Sequence, residues 1–167
     1  MTQTFDTSLL AQAPAHMRAI LSATQETLGL LFDDQPTFGP AKVCPALMPR
    51  EHEVNVIVGF TGGIQGQMLF GMSKREAIAM ASVLLMEELP DWGDMTASGM
   101  AEIANIVAGG CATALHQHGF VASITVPSVI AGEHVQITWP NLFILDTSLT
   151  LACASIGVAV GVKVNPQ

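Results

Sequence analysis

The sequence predicts an α+β fold in two layers, a mostly antiparallel sheet with long helices packed on one face. Three patterns predict it. Apolar residues recur at helical spacing near the N-terminus and in the middle of the chain, β-branched residues alternate with small ones between those helices, and the last third carries strand patterns alone. Adjacent strand patterns are separated by short turns, which favours antiparallel neighbours.

From Pro14 onward, Met17, Ile20, Leu21, Thr24, Leu28, Leu31 and Phe32 keep a helical period and predict a first helix from Pro14 to Phe32. Asp33 to Pro49 holds Pro36, Gly39, Pro40, Pro45 and Pro49, a connecting stretch with at most a short edge strand near Lys42. Val54, Val56, Val58 and Phe60 alternate with Asn55, Gly59 and Thr61, Gly62-Gly63 interrupts, and Gln67 to Met72 resumes, so a β-hairpin is expected. Ser73 followed by Glu76 is a capping box, opening a second helix that stops before Pro90. A third helix begins near Asp94 or Thr96 and ends at Gly119, a natural residue just past a helix C-terminus. Strands are then expected at Val121–Val126, at Val135–Trp139 with Val135, Ile137 and Trp139 on one side, and at Leu142–Leu145. A long C-terminal strand is expected within Thr147–Val162.

A length of 167 residues suits a single domain, with residues 1–13 expected to be poorly ordered. Half the residues are hydrophobic and 12% are charged, which excludes intrinsic disorder. Six Lys and Arg face 14 Asp and Glu, for a net charge of −8. Without a basic cluster, neither nucleic acid nor an anionic membrane surface is a suitable partner. The longest uncharged run, Thr147 to Val162, is 16 residues, short of the ~20 that a spanning helix needs. No secretory signal is visible at the N-terminus, so a cytoplasmic protein is expected. Cys44, Cys111 and Cys153 are scattered and imply neither a disulfide frame nor a thiolate metal site. His116 and His118 diverge by about 200° on a helix and cannot clasp one ion together. Gly62-Gly63-Ile64-Gln65-Gly66 lacks the Lys and the following helix of a phosphate loop.

The third helix carries whatever chemistry the chain has. At about 100° per residue, Ser98, Glu102, Asn105, Gly109, Ala112 and His116 fall within about 40° of one line, opposite Met100, Ile103, Val107, Cys111 and Ala114. A carboxylate and a carboxamide thus stand one turn apart, flanked by Ala101, Ala108, Gly109 and Ala112, a bare surface that lets another macromolecule approach the helix backbone. Alone, Glu-x-x-Asn on a helix is a weak signal, and two ordinary surface residues give the same pattern.

Ser98-x-x-x-Glu102-x-x-Asn105, continued to Pro127, resembles the signature of the CheX/CheC/FliY family of chemotaxis phosphatases. The segments Glu102 to Gly109, Gly119 to Ile130 and Gly59-Phe-Thr-Gly62 are also similar to CheX sequences. The resemblance implies a CheC/CheX-like fold and a hydrolase that removes the phosphoryl group from the aspartate of a CheY-like response regulator. Glu102 would contact the regulator's Lys, and Asn105 would orient the attacking water. Ser98, Ala101, Ala108, Gly109 and Ala112 would form the partner-binding surface. Ser98 reads equally as a cap or surface residue, and Pro127 as a structural residue ending the strand beside that helix. No cofactor of the protein's own is implied, and Mg²⁺ would come with the regulator. The first helix has Ser22-x-x-x-Glu26-x-x-Gly29, with glycine at the amide position, so one functional site, as in CheX, is expected rather than the two of CheC. A homodimer joined through the sheets is expected, because the last third carries apolar residues on both strand phases. Two other readings stand beside the phosphatase: a non-catalytic docking module for a receiver domain or flagellar component, and a structural dimerisation domain.

Overall fold

The computed structural model describes residues 4–5, 8–44, 47–49, 51–140 and 142–166. Along the chain run β1 (Thr4–Phe5), α1 (Ser8–Gln12), α2 (Ala15–Phe32), β2 (Thr37–Phe38), β3 (Ala41–Cys44), β4 (Leu47–Pro49), β5 (Val54–Gly62) and β6 (Ile64–Met72). They are followed by α3 (Lys74–Leu85), α4 (Asp94–Gln117), β7 (Ala122–Ile124), β8 (Ser128–Ala131), β9 (Gln136–Thr138), β10 (Ile144–Thr150) and β11 (Ser155–Val164). No described helix is long and apolar enough to cross a membrane.

The helices begin and end where local chemistry allows. Pro14 precedes α2, and Asp33 closes it in the left-handed region at φ 49° with its N–H on the Gly29 carbonyl. At α3 both halves of the capping box form: Ser73 Oγ accepts the Glu76 N–H at 3.1 Å, and Glu76 Oε2 accepts the Ser73 N–H at 2.9 Å. At the end of α4, Phe120 N–H bonds the Leu115 carbonyl at 2.9 Å and Gly119 N–H that of His116 at 3.0 Å. Gly119, at φ 84°, is thus the left-handed residue of a Schellman closure.

The main sheet has the order β1-β3-β10-β11-β6-β5-β7. β2 pairs β10 beyond β3, β8 pairs β5 beyond β7, and every one of these pairings is antiparallel. The three long helices cover one face, over a core built from Val54, Val56, Val58 and Phe60 of β5, Ile156, Val158 and Val160 of β11, and the inner sides of α2 and α4. This is the expected two-layer α+β arrangement.

The opposite face has its own small core of Cys44, Leu69, Ile137, Trp139, Ile144 and Ala159. Its cover is seated on glycines. A Cβ on Gly161 would come 2.7 Å from the Trp139 ring, and one on Gly157 would come 2.8 Å from His52. Two rings therefore lie against the backbone where side chains would otherwise stand. β9 and the residue after it carry Ile137 and Trp139 to this face, but β9 pairs with β4 in a separate two-stranded ribbon, not with the main sheet. The two apolar phases of β10 and β11 are thus both covered within one chain: Leu149, Ile156, Val158 and Val160 face the helices, Ile144 and Ala159 the small core.

Four expectations change. Within 1–13, Thr4–Phe5 pairs with β3 and Ser8–Gln12 is helical, while 1–3 and 6–7 lie outside the described residues. The connecting stretch 33–49 contains three short strands, and β3 pairs with β10 on one side and, over two residues only, with β1 on the other; residues 45–46 lie outside the described part. The strand expected at 142–145 is no strand of its own but begins only at Ile144 and continues as β10, so the run 147–162 is split between β10 and β11, turned at 151–154 by the Leu151 N–H bond to the Ala154 carbonyl at 2.8 Å. That turn is itself apolar, and Leu151 is 5% exposed, so it leaves no polar punctuation in the sequence. β8 was not anticipated: its residues are mostly exposed, which hides the alternation of a half-buried strand.

Glu76 ties α3 to the sheet as well as capping it, since its Oε1 accepts the Ser155 N–H at 3.1 Å. Burial pushes its carboxyl up, but hydrogen bonds from Ser73 and Ser155 and the nearby His52 outweigh that, holding it below its ordinary value of 4.5. A depressed carboxyl contributes stability above its unfolded pKa and loses it as pH falls through the folded one. Glu76→Gln is therefore expected to be destabilised at neutral pH and to lose less further stability than the unaltered protein on acidification below 4.5, by denaturant melts across that window.

Candidate functional site on the outer face of α4

Helix α4 packs against both α2 and α3, with one stripe pressed on the sheet. Met100, Ile103, Val107, Cys111 and Leu115 are each at most 2% exposed. Cys111 Sγ donates to the Ile20 carbonyl at 3.4 Å, and Thr24 Oγ1 donates to the same oxygen at 2.8 Å, so α2 and α4 meet over one shared acceptor. Burial pushes the Cys111 thiol up to about 12, which makes it an inert packing group. At the start of α4, Thr96 Oγ1 donates to the Asp91 carbonyl at 2.9 Å and pins the entry loop. Asp94 stands in the first turn and His116 in the last, each favourable for the helix dipole.

This packing turns Ser98, Glu102 and Asn105 outward, all exposed. Neither Glu102 nor Asn105 makes a hydrogen bond or ion pair with any described residue. The helix carries no Lys or Arg at all. Among the described residues the one ion pair is Lys42 with Asp146 at 3.4 Å, on β3 and β10. The carboxylate and the amide are therefore unengaged, about 4.5 Å apart along the helix axis.

Around them Ala101, Gly109 and Ala112 are half-buried and present a low surface, as expected. Ala108 is a correction: it is 0% exposed and belongs to the main core, so its side chain is closed to a partner. It falls about 60° from Asn105, on the side where β5, β7 and β8 meet the helix. Met95, 54% exposed and two turns before Glu102, joins the outer face. The i, i+7 spacing to Glu102 was the available signal in the sequence. Pro127 stands between β7 and β8, which both pair β5, and so marks the break between two strands beside α4.

On α2, Ser22 and Glu26 are exposed, but a side chain at position 29 would be tightly crowded. A Cβ there would lie 3.0 Å from the Asp34 carbonyl oxygen and 3.2 Å from Pro36 Cδ. The chain folds back over Gly29 as it leaves the helix, with Asp34 N–H bonded to the Gly29 carbonyl at 3.0 Å. His118 is tied down separately, its Nδ1 donating to the Ala114 carbonyl at 2.8 Å. Among the described residues no three His, Cys, Asp or Glu are grouped to hold a metal ion.

An antiparallel sheet with helices on one face, and on α4 an outward carboxylate and amide one turn apart, agree with the arrangement that the resemblance to the CheX and CheC family implies. Residues 54–151 match the family model described as chemotaxis phosphatase CheX, a segment containing all of α4, and the chain belongs to that family. It is 27% identical over 123 residues to the CheY-P phosphatase CheX of Thermotoga maritima, a match covering 72% of this chain and 78% of that protein. Among solved structures, the chemotaxis protein CheX from Desulfovibrio desulfuricans has a TM-score of 0.77 at 21% identity, over 91% of this chain and all of that one. A CheX-CheY-BeF3-Mg²⁺ complex from Borrelia burgdorferi has a TM-score of 0.72 at 28% identity, over 89% of this chain and 97% of that one.

Because both side chains are exposed and unpartnered, Glu102→Ala and Asn105→Ala are each expected to change stability by no more than about 0.5 kcal/mol, as measured by urea melts.

Proposed function

We propose that the protein is a cytoplasmic phosphatase that hydrolyses the aspartyl phosphate of a CheY-like response regulator at the outer face of α4. Glu102 contacts the regulator's active-site Lys, and the Asn105 side chain enters the regulator's site and orients the attacking water. Ser98, Ala101, Gly109 and Ala112 form the docking surface around the pair. The observation that carries the reading is the pair itself, a carboxylate and a carboxamide one turn apart on an exposed helix face with no partner among the described residues. Membership in a family of chemotaxis phosphatases supports it.

The chemistry suits so sparse a site. Water attacks phosphorus, the bond to the aspartyl oxygen breaks, and the products are a free carboxylate and inorganic phosphate. Transfer passes through a loose transition state, in which positioning and charge stabilisation supply most of the catalysis. A neutral amide holds water in line without adding negative charge beside the phosphoryl oxygens. Mg²⁺ enters with the regulator, and no nucleophile of the protein's own is needed.

The two residues then fail differently. Glu102→Ala is expected to raise the KM for the phosphorylated regulator with a smaller effect on kcat, whereas Asn105→Ala keeps binding and loses turnover, since its interaction matters mainly in the transition state. Phosphate release followed beside a binding titration separates these, and wild-type turnover by Asn105→Ala would leave a docking module in place of an enzyme.

As part of the same reading the protein works as a homodimer joined through its sheet. The exposed Phe143 (83%) and Val43 (38%), beside the β3 edge that β1 covers over two residues only, offer the apolar contact. Light scattering at micromolar concentration is expected to give twice the chain mass, and a monomer mass refutes the pairing.

A further inference from the structure

Glycine inside a helix is unfavourable relative to alanine because it adds backbone freedom to the unfolded chain, so each helical glycine calls for a reason. Helix α4 holds three, Gly99, Gly109 and Gly110. Two have their reason within the chain. A Cβ on Gly99 would come 2.9 Å from Ala81 Cβ, and one on Gly110 would come 2.5 Å from Thr27 Oγ1. These glycines let α3 and α2 close onto α4.

Gly109 has no such reason. No described atom lies within 4 Å of where its Cβ would be. Its φ is not in the left-handed region, so an L-residue fits the backbone there without strain. Folding alone would therefore favour alanine. The position is one turn beyond Asn105 and about 40° from it around the helix, on the same outward face. The neighbouring Thr113 does not project over the gap: its hydroxyl folds back to donate to the Gly109 carbonyl at 3.1 Å.

We propose that Gly109 is a clearance position, at which the receiver-domain backbone rests directly on the helix and which sets how deeply Asn105 reaches into the regulator's site. This rests on the assignment of Asn105 made above. A methyl group at 109 lifts the partner by about 1 Å, and a misplacement of that size costs on the order of a hundredfold in rate when catalysis depends on positioning. Gly109 itself touches no reacting atom. It is a positioning residue, and its signature is a change of opposite sign in stability and in activity.

The test compares Gly109→Ala, Gly109→Leu and Asn105→Ala, using a CheY-like receiver domain that the unaltered protein dephosphorylates. Thermal melts, phosphate release from the phosphorylated receiver, and titration against the same receiver loaded with beryllofluoride and Mg²⁺ are measured for each. Gly109→Ala is expected to melt about 2–4 °C higher while kcat/KM falls about a hundredfold, with a larger fall and weakened titration for Gly109→Leu. If Gly109→Leu turns over at the wild-type rate while Asn105→Ala is dead, the clearance role is wrong and the Asn105 assignment stands. If Gly109→Ala melts lower and loses activity, the glycine is structural and the proposal falls. If Asn105→Ala keeps full turnover, the catalytic assignment fails and takes the clearance role with it.

Discussion

Burial of a single stripe of α4 sets the position of everything else on the molecule's working side. Met100, Ile103, Val107, Cys111 and Leu115 fill the space between the sheet and the flanking helices. Each large apolar side chain so buried contributes about 1.5–3 kcal/mol. The opposite side adds a second constraint. Rotating α4 by one residue, about 100°, would carry Glu102 toward a neighbouring helix, where an unpaired carboxylate costs several kcal/mol or is forced to take up a proton. The helix is thus fixed in rotation by what it buries and by what it cannot bury. The outer residues inherit that precision at no cost to the core, because they take no part in it.

That separation explains why the candidate site looks unlike a conventional active site. Among the described residues no side-chain network holds the polar pair, so in the proposed reaction the carboxylate stays hydrated until the regulator docks. An ion pair at 4 Å is worth about 1 kcal/mol in water and about 4 kcal/mol near a protein surface, so a docking partner that excludes water strengthens the Glu102 contact as it forms. The amide gains from the same exclusion in a different way. Its dipole orients one water molecule that bulk solvent no longer competes to reorient. In the proposed reaction the second protein completes the site.

Legibility in the sequence followed physical locality. The capping box at Ser73 and Glu76, the hairpin of β5 and β6 and the end of α4 at Gly119 are set by neighbours a few residues apart, and their patterns were readable. The division of α4 into a buried stripe and an outer face was readable for the same reason, except at Ala108, where β-strands approach from the side and bury a residue near the boundary. Long-range choices were not readable. Nothing local in Gln136–Thr138 tells that it pairs with β4 outside the main sheet, nor that Trp139 settles on Gly161. The turn at 151–154 escaped because its residues are small and apolar rather than polar. For Glu102 and Asn105 the spacing showed that they share a face, and the resemblance supplied the role; neither could have shown that both side chains stand without partners.

The way the chain leaves α2 has a consequence for stoichiometry. Asp34 and Pro36 crowd the space beside Gly29, and with glycine there the first helix has no amide to match Asn105. Each chain therefore has one face to offer. In the proposed reaction regulators dock there singly, so saturation would follow a simple hyperbola for an isolated chain, and departure of one regulator would precede arrival of the next. Any bivalent capture or cooperativity has to come from association between chains, and is therefore a function of protein concentration, a dependence that a chain with two competent faces would lack.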